Sequence, residues 1–167
     1  MIVTIWRHGK AARAASDDLR ELTRQGKADV TQGAATLRSV CQRRQQSQPD
    51  QLWYSRWVRT SQTASIVQQQ FQCARQDELE ALIPGASPAD VEEALQSLWP
   101  LESRPRHLVL ISHQPLVSTL TDVLLGVTGS VPSHPPGGFV SLQLDAPAPG
   151  CASLLWWAFP PCYDVEL

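Results

Sequence analysis

No apolar run in the 167-residue chain comes near the ~18 residues that a membrane span requires. The first residues, MIVTIW, have the look of a strand. They lack the basic segment and apolar stretch of a secretory signal. Cysteine is scarce: Cys41, Cys73, Cys151 and Cys162 form no C-x-x-C pair, which argues against a zinc site and leaves reduced, structural thiols as the expectation. A surplus of one charge is also lacking. The net charge of −2 gives no general pull toward nucleic acid or an anionic membrane, so any phosphate site would need a local positive field. There is no internal repeat and no long linker. What remains is one domain over residues 1–167, long enough to bury a core and expected in the cytoplasm. Nothing in it demands more than a monomer, a nucleic-acid partner or a metal.

Strand and helix signals alternate. Residues 2–6 look like a strand, and Val30, Ala34, Leu37 and Cys41 make a helical stripe within 23–41, with Thr23 as N-cap. LWYS at 52–55 is a short strand, followed by a second stripe of Thr60, Ala64, Val67 and Phe71. Ser87 and Pro88 open a third helix with Val91, Ala94, Leu95 and Leu98 inward. HLVLIS at 107–112 is apolar throughout, as a strand covered on both faces should be. Pro115 then begins a fourth helix with Leu116, Leu120 and Leu124 inward and Gly126 as its stop. SVPSHPPGG at 130–138 reads as a long exposed loop with His134 solvated, and FVSLQLD and SLLWWAF as an antiparallel hairpin or edge strands. The alternation predicts an α/β fold: a mainly parallel central sheet, helices on both faces, and antiparallel strands at the C-terminus.

In such sheets ligands bind beyond the carboxyl ends of the strands. Those ends hold Arg7-His8-Gly9, then Ser55 with Arg59 soon after, then His113-Gln114-Pro115. Each alone has a plain explanation as a turn residue, an exposed helix charge or a salt-bridge partner. Two arginines and two histidines at one edge of a sheet are harder to dismiss.

RHG after the first strand, YSRWVRTSQTA after the second and LISHQPLV after a later one resemble the histidine phosphatase superfamily. The short chain and the SDDLRELTRQG segment are most similar to the small bacterial phosphohistidine phosphatases of the SixA type. The resemblance covers residues 1–125 most clearly and implies a phosphoglycerate mutase-like fold without a cap domain. It also implies roles. His8 would be the nucleophile that carries the phosphoryl group, Arg7 and Arg59 would clamp its oxygens, His113 would complete the phosphate pocket, and Arg20 would contact phosphate or substrate. No cofactor is implied.

The chemistry suits these residue types. Phosphoryl transfer is mostly positioning and charge stabilisation, and the planar arginine fork matches phosphate oxygens. The nucleophile must be neutral. Neighbouring arginines favour that form, and a backbone carbonyl taking Nδ1–H would leave Nε2 to attack. Gly9 would let the backbone turn tightly and present that carbonyl.

Many members of the superfamily carry an acid after the third strand to protonate an alcohol leaving group. Here that place reads Gly85-Ala86-Ser87. Glu80 lies nearby, and Asp90, Glu92 and Glu93 read as helix-start acids. An imidazole needs less help to leave than an alkoxide, so the absence points toward phosphohistidine. Little chain is spare for a lid, so the pocket should be open to a protein-borne phosphoryl group. Trp57 and Arg56 either meet that partner or, for Trp57, pack on the adjacent helix; Arg56 stands where matched members often have Pro. The expected function is a protein phosphohistidine phosphatase. The alternatives are a small-molecule phosphomonoesterase and a phosphoprotein-binding module with little turnover.

Overall fold

The computed structural model describes residues 1–71 and 75–167; Cys73 lies outside the described residues. The fold is built on β1 (Ile2–Arg7), β2 (Gln51–Tyr54), β3 (Arg75–Glu78), β4 (His107–Ser112), β5 (Phe139–Leu144), β6 (Ala152–Ala158) and β7 (Val165–Glu166), in the sheet order β3-β2-β4-β1-β5-β6-β7. The first four of these positions are parallel, and β5, β6 and β7 run antiparallel. The α/β architecture with a C-terminal antiparallel extension is as the sequence predicts. No cap domain is apparent among the described residues.

Helices α1 (Arg24–Arg43) and α2 (Val58–Gln70) cover one face; α3 (Pro88–Leu98) and α4 (Leu116–Leu125) cover the other. The period-2 alternation of the strands sorts the core between them. Val109 and Ile111 of β4 and Trp6 of β1 pack toward α1 and α2, while Leu108, Leu110, Val3 and Ile5 pack toward α3 and α4. All six residues of β4 are buried, which explains its unbroken apolar run.

The helix ends follow their local chemistry. Thr23 Oγ1 accepts from Gly26 N at 2.9 Å, capping α1. Ser87 and Asp90 form a reciprocal capping box at α3, so Asp90 is a cap and its carboxyl is held below the usual range chiefly by the Ser87 backbone N–H. Gly126 ends α4 at φ 69°, a conformation that favours glycine. Strands β3 and β7 carry no sequence signal. β3 reads Arg-Gln-Asp-Glu on the sheet edge, where half-exposed positions need no apolar alternation, and β7 is two residues long.

Residues 130–138 form no regular element, but they are not an exposed loop throughout. Val131 and His134 are 7% and 1% exposed. His134 is therefore not solvated, contrary to expectation. Its backbone N–H donates to Ser118 Oγ of α4 at 3.4 Å, Nδ1 lies 3.3 Å from the same oxygen, and its ring packs on Phe159. The many prolines of the segment hide this docking from a composition-based reading. Among the described residues no helix is long and apolar enough to cross a membrane.

Candidate active site

The register of the parallel strands brings distant parts of the chain together. Arg7 ends β1 opposite Ser112 of β4, and Tyr54 ends β2 opposite Ile111. The next residues outward are His8, His113 and Ser55, and α2 starts soon after with Arg59 in its first turn. Together with Lys10, Ala11, Asp17, Arg20, Pro84, Gln114 and Pro136, the residues Arg7, His8, Arg59 and His113 line one cavity of about 460 Å³. All five site residues expected from the sequence thus lie on its wall.

His8 is held at both nitrogens. Nδ1–H donates to its neighbour's carbonyl, Gly9 O, at 2.8 Å, and Arg59 Nε–H donates to Nε2 at 3.1 Å. That pairing fixes the neutral tautomer with its lone pair on Nε2. The ring's pKa is lowered to about 4, first by burial; the Gly9 bond opposes this, and Arg59, Arg7 and Arg20 add to the lowering.

Gly9 serves differently from what a tight turn would require. A Cβ there would lie 2.8 Å from Val30 Cγ2 and 2.9 Å from Gly26 O. At Gly26 a Cβ would meet Lys10 O at 2.2 Å. The two glycines let the first turns of α1 press against the loop carrying His8. Thr63 of α2 adds a second brace, accepting from Gly9 N at 3.2 Å while donating to Arg59 O at 2.7 Å.

Arg59 is 4% exposed, far from an ordinary helix surface charge. Its guanidinium lies 4.5 Å over the Trp57 ring, whose edge faces His113 at 5.2 Å. Trp57 therefore packs against Arg59 and His113 while remaining half-buried beside a surface cavity. Arg59 Nη2 pairs with Asp17 Oδ2 at 3.1 Å, and Nη1 also donates to the Asp17 carbonyl. Asp17 was not singled out by sequence reasoning; the only available signal was its place in the matched SDDLRELTRQG segment.

His113 has its ring 5.0 Å from that of His8 and its Nε2 3.0 Å from Ser55 Oγ. Its Nδ1 is buried without a protein partner. Burial, then His8 and Arg59, lower its pKa to about 3. Arg7 Nη1 donates to the His134 carbonyl at 2.8 Å, leaving Nε buried and unmatched. Gln114 Nε2 donates to the same carbonyl at 3.2 Å and to Ser118 Oγ at 2.8 Å. The 130–138 segment therefore positions Arg7, a role no motif announced.

Arg20 is largely engaged within its own loop, donating to Ala12 O at 2.8 Å, to Ala11 O at 3.4 Å and to Asp17 Oδ1 at 2.9 Å. Among the described residues Asp17 is the only carboxylate lining the cavity. Arg20 and Arg59 hold its carboxyl below the usual range, which favours the ionised form while it is paired with them. Glu80 pairs with Arg56 at 3.0 Å and lies outside the cavity.

No family model matches the chain, and no curated protein matches it by sequence. Solved structures do match. The protein histidine phosphatase SixA complexed with tungstate is 28% identical at a TM-score of 0.78, with 96% of this chain and 97% of that one covered. A protein assigned as the SixA phosphatase of Agrobacterium tumefaciens is 23% identical at 0.73, covering 95% and 97%. Phosphoglycerate mutase from Plasmodium falciparum shares the fold at 16% identity and 0.64, covering 92% and 87%. The chain has the fold of the histidine phosphatase superfamily, and its likeness to the histidine phosphatase SixA at 28% identity supports a phosphatase. Within that class it is similar to the SixA phosphohistidine phosphatases.

Proposed function

We propose that the protein removes phosphoryl groups from phosphohistidine on other proteins, with His8 as the nucleophile. The observation that carries this reading is the neutral His8 imidazole. Its Nδ1–H is fixed on Gly9 O and its Nε2 lone pair points at Arg59, in a cavity also lined by Arg7 and His113. Nε2 attacks phosphorus, and the P–N bond of the substrate breaks. The electron pair stays on the departing imidazole nitrogen, which takes a proton from solvent. Arg59 Nε–H turns from Nε2 to a phosphoryl oxygen, Arg7 holds another, and His113, whose Nδ1 has no protein partner, completes the pocket. Water then attacks phosphorus, the P–Nε2 bond breaks, and phosphate leaves.

The ionised state of Asp17 and the outward placement of Glu80 favour this substrate. An alkoxide would depart without a proton donor, whereas imidazole leaves readily near neutral pH. The absence of a covering domain among the described residues and the SixA neighbours support a protein-borne phosphoryl group. A cytoplasmic setting agrees with the free thiols of Cys41, Cys151 and Cys162. The test is a substrate panel: a phosphorylated histidine phosphotransfer protein, a free phosphoramidate and alkyl phosphates. Fast turnover of the phosphoprotein supports the reading. Fast turnover of alkyl phosphates with slow turnover of phosphohistidine would establish the small-molecule alternative.

A further inference from the structure

The strongest hydrogen-bonding edge of an arginine is the parallel pair Nε–H and Nη2–H, which matches two oxygens of one oxyanion. In Arg59 that edge is divided. Nε–H goes to His8 Nε2 at 3.1 Å and Nη2–H to Asp17 Oδ2 at 3.1 Å. The other oxygen of Asp17 takes Arg20 Nη1 at 2.9 Å. One carboxylate thus bridges the two guanidiniums at the cavity mouth. A phosphoryl group joined to His8 needs the same Arg59 edge, and it cannot share it with a second anion.

We propose that Asp17 is a specificity-determining residue, a tethered carboxylate that competes with the phosphoryl group for Arg59 and Arg20. Asp17 is suited to be displaced. Its side chain is 55% exposed, and its contacts are to those two arginines. The backbone beside it is anchored, because the Asp18 carbonyl accepts from Val58 N at 3.0 Å where α2 begins. The Ala11–Leu22 bridge closes the loop at its base. A side-chain rotation can therefore open the mouth without moving the loop. The carboxylate raises the threshold for any oxyanion. Free phosphate, which has only the pocket's own contacts, binds weakly and leaves quickly after hydrolysis, while a phosphoryl group delivered by a docked protein has further binding energy to displace Asp17.

The inference rests on the phosphoryl-binding reading of this cavity, and its test measures binding rather than turnover. Orthovanadate and inorganic phosphate are titrated calorimetrically into the wild type, Asp17→Asn, Asp17→Ser and Asp18→Asn, with thermal unfolding of each as a folding check. Both Asp17 variants should bind about three- to tenfold more tightly, the range expected for removing a partly exposed ion-paired competitor. Asp18→Asn deletes a charge of the same sign next door and should change affinity less than about twofold. Equal or weaker binding by the Asp17 variants would overturn the proposal, and so would an equal gain from Asp18→Asn. If neither the wild type nor any variant binds an oxyanion, the phosphatase reading falls together with it; equal binding by all four removes the competitor alone.

Discussion

Strand β4 carries a histidine at its first residue and another just past its last, and the two differ in what their ring nitrogens meet. His107 and His113 are 0% and 3% exposed. Burial lowers both imidazoles, to about 4 and about 3. At His107 every valence is met. Nδ1–H donates to Ser47 O at 2.7 Å, and Nε2 meets Thr4 Oγ1 at 2.8 Å, which in turn meets Ser141 Oγ at 2.7 Å. At His113 one nitrogen meets Ser55 and the other has no partner. Burial alone therefore does not separate a structural histidine from a functional one. Unspent hydrogen-bonding capacity beside a cavity is what sets His113 apart from His107.

The comparison is broken most forcefully at the residue His113 faces. His8→Ala should lower kcat on a phosphorylated histidine phosphotransfer protein by at least about 10³-fold, as expected for loss of a covalent nucleophile. The acid-labile phosphoryl label trapped on the enzyme should vanish with it. Retained turnover would remove His8 from the chemistry.

The two ends of β4 should then separate in opposite directions. His113→Ala should lower kcat/KM by about 10²-fold, the scale of a lost oxyanion donor, with little change in denaturant midpoint. His107→Ala removes one of the two partners of Thr4 Oγ1 and the hydrogen bond to the Ser47 carbonyl, and leaves a void in the core. It should lower unfolding free energy by about 2–3 kcal/mol while kcat/KM of the folded fraction is preserved. Chemical denaturation and steady-state kinetics on the same samples decide it. A kinetic defect in His107→Ala would show that the two ends are coupled.

How legible each end was in the sequence follows from the same contrast. Motifs at strand ends locate Arg7, His8, Arg59 and His113, because a parallel sheet delivers its strand termini to one edge whatever the loops do. Hydrophobic stripes place the four helices and the buried β4. What supports the site is less visible. Asp17 and His134 reach it through backbone and loop geometry that no spacing encodes, and the polar pair Thr4–Ser141 beneath His107 spans 137 positions in sequence. Polar edge strands such as β3 are equally silent, since an edge exposed to solvent needs no pattern.

Proton linkage treats the two ends alike and so sharpens the distinction. His8, His107, His113 and His134 all have folded pKa values of about 3 to about 4 against an ordinary 6.5. With the folded value depressed, the unfolded chain takes up protons first as the medium is acidified. Stability is complete above pH 6.5 and is lost as pH falls toward 4, by about 1.4 kcal/mol per pH unit for each histidine. Denaturation midpoints from pH 8 to pH 4.5 should show this slope. His107→Ala and His113→Ala should each reduce it by one proton, although only the second impairs turnover.

The smallest effect is expected at Glu80, an acid outside α3 near the place where related enzymes carry a proton donor. Arg56 and Glu80 are 59% and 67% exposed and pair on the outer surface. An ion pair so wet contributes about 0–1 kcal/mol, and Glu80 is not on the cavity wall. Glu80→Gln should therefore leave kcat/KM on phosphohistidine within about twofold and the unfolding midpoint almost unmoved. A selective loss on alkyl phosphates would show that Glu80 swings inward to protonate poor leaving groups. A loss on phosphohistidine as well would mean that even imidazole departs with its help, and that the ionised Asp17 is not the carboxylate that matters at this mouth.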